Sequence, residues 1–313
     1  MDTLLKNNQL VIVDIGASGG IDPRWGKTTE FHTGILFEPD PREFNALKKK
    51  SDNNLIVLNS ALGDSKKNVE FHLCKKQMVS SIYPPNFNLL NKFPEAERFN
   101  VEKIIHLNTD TLDNQLMKEG INEVDFIKID TQGYELSILK GSSACIENVI
   151  GLEVEVEFEP MYIGQPLFSE VDSYVKNKGF ILFDLKRYFW KRKDNKNTGS
   201  SKGQIMFGDA LYFKSPEKIL SISSISQEKI IRAIYVYLSY GYLDLSQVLL
   251  NDAKNLLEEK VYILLLNILK KYEKEKIISG NRVTRKLAFI FHKLSKFLEE
   301  GEYSGTDRNI GNL

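Results

Sequence analysis

Asp14, Glu38, Ser60, Asp130 and Glu153 each stand at or near the end of an apolar run. Polar groups at the carboxyl ends of parallel strands form the rim on which open α/β sheets bind their ligands. The first belongs to Asp14-Ile15-Gly16-Ala17-Ser18-Gly19-Gly20, whose glycines lack a Cβ and let the backbone approach a ligand closely. A nucleotide-like cofactor suits such a rim. The dinucleotide fingerprint spaces its glycines as G-x-G-x-x-G, which this loop does not, and that counts against a nicotinamide oxidoreductase. Glu38 can accept hydrogen bonds from both hydroxyls of a ribose, which identifies a sugar and not a chemistry.

Other candidates carry weaker signals. Glu153, Glu155, Glu157 and Glu159 alternate with Val154, Val156 and Phe158, so the acids share one face of a strand. Four carboxylates without partners would be costly to bury, so either the later half of this strand projects into solvent, which we expect, or part of this face lines the acceptor pocket, with Glu153 nearest the rim. Asp130 and Glu153 are the pair that could hold a hard cation, but the spacing does not call for one and no metal is expected. His106 reads as a surface or packing residue, and Tyr188, Phe189 and Trp190 as hairpin or core packing.

These residues require a particular order of elements. Strands are predicted at Leu10–Val13, Gly34–Phe37, Leu55–Leu58, Val124–Ile129, Val149–Phe158, Phe180–Leu185 and Ala210–Phe213, which makes seven. Helices are predicted over Arg42–Lys50, Thr111–Glu119, Tyr134–Leu139 and Glu170–Lys178, and the alternation implies a parallel sheet. Residues 65–108 break the pattern and read as an insertion over the sheet after the third strand. The Lys-, Asn-, Gly- and Ser-rich run Lys191–Gly203 reads as a mobile hairpin loop. From Pro216 apolar residues recur at helical spacing, so the expected organisation is an α/β domain over 1–215, a helical unit over 216–300 containing a helical hairpin near Tyr240, and a flexible tail over 301–313.

Composition narrows the partners. Lys plus Arg and Asp plus Glu number 42 each, so no net field draws the chain to nucleic acid or an anionic membrane. Two cysteines, Cys74 and Cys145, form neither a disulfide framework nor a zinc pattern and fit a cytoplasmic setting. No signal peptide or membrane span is expected. The C-terminal helices are the surface through which the chain would form a homo-oligomer.

From Val11 to Phe213 the chain resembles the FkbM-type S-adenosylmethionine-dependent methyltransferases. The resemblance rests on Val13 to Gly20, Phe37-Glu38-Pro39-Asp40-Pro41, Ser60-Ala61-Leu62-Gly63, Thr111-Leu112-Asp113 and, most specifically, Ile127-Lys128-Ile129-Asp130-Thr131-Gln132-Gly133-Tyr134-Glu135. Gln132 stands where a glutamate is common. The resemblance implies a Rossmann-like seven-stranded sheet with its last strand antiparallel, S-adenosylmethionine as donor, and methylation of a hydroxyl on a sugar, glycan precursor or related metabolite. It also implies a cofactor set of Asp14, Gly16, Ala17, Gly20, Glu38, Pro39, Ser60, Ala61 and Asp130, with Glu38 on the ribose and Ser60-Ala61 near the adenine. A sulfonium leaves readily, so positioning dominates and the hydroxyl's proton needs an acceptor. Asp130 is the first candidate, Lys128 and Glu135 the others. A non-catalytic Rossmann-like module that binds a partner through its helical C-terminus is the alternative, and Gln132 is what favours it.

Overall fold

Strand-forming runs rich in Ile, Val, Leu and Phe, too short for helices and ended by Gly, Pro or Asp, build the sheet. The computed structural model describes residues 2–5, 8–17, 20–26, 32–50, 54–193, 203–279, 304–307 and 310. In chain order the strands are β1 (Leu10–Ile15), β2 (His32–Phe37), β3 (Leu55–Leu58), β4 (Ala61–Leu62), β5 (Asn68–Cys74), β6 (Val101–Asp110), β7 (Phe126–Ile129), β8 (Gly151–Glu157), β9 (Ile181–Trp190), β10 (Gln204–Phe213) and β11 (Ser304–Thr306). The α-helices are α1 (Asp2–Leu5), α2 (Pro23–Gly26), α3 (Pro41–Lys50), α4 (Phe87–Leu90), α5 (Leu112–Lys118), α6 (Glu135–Lys140), α7 (Phe168–Asn177), α8 (Pro216–Leu220), α9 (Gln227–Ser239), α10 (Leu243–Asp252) and α11 (Glu259–Ser279).

The main sheet runs β11-β9-β10-β8-β7-β1-β2-β3. Strands β3, β2, β1, β7 and β8 are mutually parallel, while β10 lies antiparallel between β8 and β9. The expected seven strands are therefore present, with an antiparallel strand inserted near one edge. An eighth strand comes from Ser304–Thr306, a segment read as tail, because its backbone pairs with Tyr188–Trp190 of β9. Residues 194–202, inside the predicted hairpin loop, and most of the predicted tail lie outside the described residues.

Alternation along the strands sends the two faces into different layers. Val13, Ile15, Ile127, Ile129, Val154 and Val156 face α5, α6 and α7, whose Leu112, Leu116, Ile138, Leu139, Val171 and Val175 close that core. The opposite face presents Leu10, Ile12, Phe126, Leu211 and Phe213 to α8 through α11. The segment read as a separate helical unit thus shares one hydrophobic core with the sheet. The expected hairpin is α9 and α10, joined through Gly241 at φ +79°. Among the described residues no helix is long and apolar enough to cross a membrane.

The insertion's β5 and β6 form a second, three-stranded sheet with the preceding β4, in the order β4-β6-β5. The insertion's apolar side chains Cys74, Val79, Leu90, Phe93 and Phe99 pack with Tyr162 and with Trp190 of β9 and Met206 of β10.

Candidate functional site

The β1 loop is locked to its neighbours by backbone. Gly16 N donates to Phe37 O at 2.9 Å, and Asp130 N donates to Ile15 O at 2.9 Å. Gly16 has φ +78°, and a Cβ there would lie 1.9 Å from the Asp130 carbonyl oxygen, so conformation and space both demand glycine. Ala17 is buried, and Gly20 N donates back to Ala17 O at 2.9 Å, closing the turn. Ser18 and Gly19 lie outside the described residues. Asp14 is buried under this loop; its Oδ1 has no hydrogen-bond partner and stands 3.7 Å from Lys128 Nζ. Burial pushes the Asp14 carboxyl up to about 6 against the pull of Lys128.

At the end of β2 the chain turns through Glu38-Pro39-Asp40 into α3. Glu38 is buried, its Oε1 accepts from Asp40 N at 2.8 Å, and its backbone N donates to Leu58 O at 3.1 Å. Burial, opposed by the Asp40 amide, pushes its carboxyl up to about 7. Asp40 is held by Arg42, with Nη2 to Oδ2 at 2.6 Å. Pro39 and Ser60 are half-buried, and Ala61 is buried where the chain leaves the main sheet to pair with Thr109 of β6.

Lys128 and Asp130 face the same side of the sheet as Asp14. Lys128 Nζ lies 3.7 Å from Asp14 and 3.9 Å from Asp130 Oδ2. Burial acts against its charge, yet Asp14, Asp130 and Glu153 push the Lys128 ammonium above its ordinary value. Asp130 is the open member: its side chain is 37% exposed, against 5% for Asp14. Glu153, beside Lys128 in the ladder, accepts from Arg24 Nη1 at 3.2 Å and from Tyr240 Oη at 2.8 Å, and the Arg24 guanidinium lies 4.0 Å over the Tyr240 ring. On β10, Asp209, opposite Glu155, accepts from Tyr188 Oη at 3.0 Å. Burial and then Glu153 push the Asp209 carboxyl up to about 6.

The expectation that β8 leaves the sheet is overturned. Every residue of β8 is buried, and its later half pairs with β10 through Phe207, Gly208 and Asp209. Glu153 and Glu155 receive partners from elsewhere in the chain. Gln132, at φ +59°, aims Nε2 at Asp130 Oδ1 (3.1 Å) and Glu155 Oε2 (2.6 Å), while its Oε1 lies 2.9 Å from the Tyr162 hydroxyl. Glu135, a candidate proton acceptor in the sequence, uses Oε1 to accept from Thr131 N, Thr131 Oγ1 and Gly133 N at 2.8, 2.9 and 3.1 Å, which fixes the turn into α6. His106 is exposed on β6 opposite Glu70, and Tyr188 stacks on Phe207 at 4.4 Å.

Sequence reasoning missed Arg24, Tyr240 and Asp209. Asp209 could have been found from its alternation with Leu211 and Phe213; nothing near Tyr240 marks it as reaching the sheet. The set as built suits a cation-bearing, ribose-bearing cofactor. A buried carboxylate oxygen on Asp14 that accepts no hydrogen bond, with only the Lys128 ammonium 3.7 Å away, matches a second ammonium, and Glu38 matches a pair of hydroxyls.

Residues 14–182, more than half of the chain, match the family described as the methyltransferase FkbM domain. The 2-O-methyltransferase NoeI of Sinorhizobium fredii is 24% identical over 181 residues, covering 54% of this chain and 73% of that protein. Among solved structures, a TehB-like SAM-dependent methyltransferase from Corynebacterium glutamicum has 10% identity and a TM-score of 0.31, covering 68% of this chain and 86% of that one. M. capricolum TrmK, in complex with S-adenosyl-homocysteine, has 9% identity and a TM-score of 0.31, covering 88% and 95%. Structural likenesses this distant say nothing about the reaction. The chain belongs to the FkbM methyltransferase family, and S-adenosylmethionine is its methyl donor.

Proposed function

We propose that this methyltransferase methylates a hydroxyl oxygen of a sugar or glycan precursor in the cytoplasm. When bound, S-adenosylmethionine supplies an electrophilic methyl group on a good leaving group, so the chain's own work is alignment and proton removal. Asp14 receives the cofactor's ammonium, with Gly16, Ala17 and Gly20 shaping the backbone around it. Glu38 holds the ribose hydroxyls, and Pro39, Ser60 and Ala61 border the adenine. Lys128 holds Asp14 and Asp130 in place. Asp130 accepts the acceptor's proton.

The observation that carries this reading is the openness of Asp130 among otherwise buried acids, since a base must be reached by a substrate. The likeness to a 2-O-methyltransferase supports a sugar hydroxyl as acceptor, and two free thiols fit a reducing compartment. The test is incubation with methyl-labelled cofactor and a panel of nucleotide sugars and oligosaccharides. Label in a base-stable ether is expected; label in an ester or an amine would overturn the hydroxyl assignment. Asp130→Asn should lower kcat about 10²- to 10⁴-fold and leave S-adenosylhomocysteine affinity within about threefold. The reverse pattern would make Asp130 a cofactor ligand only.

A further inference from the structure

Three carboxylates converge inside the molecule beside this rim. Glu135 opens α6, while Glu155 and Glu157 lie two residues apart on one face of β8, and one oxygen from each lies within 4.8 Å of the others. All three are buried. Because β8 is an interior strand between β7 and β10, Glu155 and Glu157 project from the same face of the main sheet.

Hydrogen bonds account for only part of the group. Glu135 Oε1 takes three donors, and Glu155 Oε2 takes Gln132 Nε2. Glu157 Oε1, by contrast, is buried with no hydrogen-bond partner. Among the described residues no lysine, arginine or histidine forms an ion pair with any of the three. The nearby cations are committed elsewhere, Lys128 to Asp14 and Asp130, and Arg24 to Glu153. Burial pushes the carboxyls of Glu155 and Glu157 well above the usual range, so their charge is removed either by protons or by a cation.

The spacing favours a cation. Oxygens bound to one calcium ion at about 2.3–2.6 Å lie at most about 5 Å apart, which spans the whole group without backbone movement. An all-carboxylate set, without thiolate or imidazole, suits hard divalent ions such as calcium, magnesium or manganese. We propose that Glu135, Glu155 and Glu157 bind one hard divalent cation, with Glu157 Oε1 as a ligand atom. The ion would tie the start of α6 to β8, one side chain away from Asp130 through Gln132. The proposal stands independently of the acceptor chosen for methylation.

The test uses the full chain stripped with EDTA and titrated with Mn²⁺, the free aquo-ion being followed by electron paramagnetic resonance. Thermal melting is followed in parallel with Mn²⁺ and with Ca²⁺. Wild type should take up one equivalent and melt at a higher temperature when loaded. Asp64→Asn, at an exposed acid, should behave the same. Glu157→Gln should bind at least tenfold more weakly and lose the thermal shift, and Glu155→Gln reports the same if the first variant does not fold. No saturable uptake of either ion by folded wild type, or equal uptake by Glu157→Gln, would overturn the proposal and leave protons as what neutralises the group.

Discussion

At the end of β2, Glu38 is pulled in two directions. Its burial favours the protonated acid, whereas two ribose hydroxyls are best accepted by the ionised form. With a folded value near 7 against an ordinary 4.5, the folded protein holds the extra proton between those limits. Its contribution to stability is therefore complete below about 4.5 and is lost as pH rises through about 7, a decline of order 3 kcal/mol by linkage. Urea denaturation across that window should show a difference between wild type and Glu38→Gln that grows with pH in favour of the variant. Cofactor affinity should move the opposite way: wild type binds S-adenosylhomocysteine more tightly as pH passes 7, and Glu38→Gln shows no such gain. Calorimetry with Glu38→Ala should show affinity weakened by on the order of 1.5–3 kcal/mol. Gly16 makes a harsher prediction. A methyl group set 1.9 Å from the Asp130 carbonyl, at a left-handed φ, should cost roughly 2–4 kcal/mol in Gly16→Ala, visible as a lowered denaturation midpoint.

Among the elements, β8 shows where reading a sequence stops. Period-two alternation placed Glu153, Glu155 and Glu157 on one face, and that face is observed. Alternation carries no information about burial, however, and the groups that make burial tolerable are remote in sequence: Arg24 in a four-residue helix, Gln132 in a loop, and Tyr240 at the end of α9. The strand ends carrying Asp14, Glu38 and Asp130 were legible because apolar runs stopped at Gly, Pro or Asp, local signals that need no tertiary knowledge. Helix α5 was legible for a similar reason, as Thr111 Oγ1 accepts from Asn114 N at 3.2 Å and caps it. Replacing Tyr240 by Phe removes a donor from the buried carboxylate of Glu153 and should cost about 1–3 kcal/mol. In a double-mutant cycle with Glu153→Gln the coupling should be of similar size; additive effects would mean that the hydroxyl does not support Glu153.

For the whole molecule, the shared core of the sheet and the C-terminal helices sets the folding unit. Leu10, Ile12, Phe126, Leu211 and Phe213 would meet water if α8 through α11 were removed. A fragment of residues 1–215 should accordingly lack a cooperative calorimetric transition and bind a hydrophobic dye, unlike the full chain. Helical periodicity announced these helices but not their docking, because an apolar stripe names no partner. The strand Ser304–Thr306 bears on a different matter. Strand β9 would otherwise end the sheet with a row of open amides and carbonyls along Tyr188, Phe189 and Trp190, the segment best suited to recruit a strand from another molecule. By covering those three residues, clamped through Arg187 and Asp307 at 2.7 Å, the returning chain acts as a guard against fibril-like stacking. Its loss would appear first as turbidity on concentration, before any change in cofactor binding.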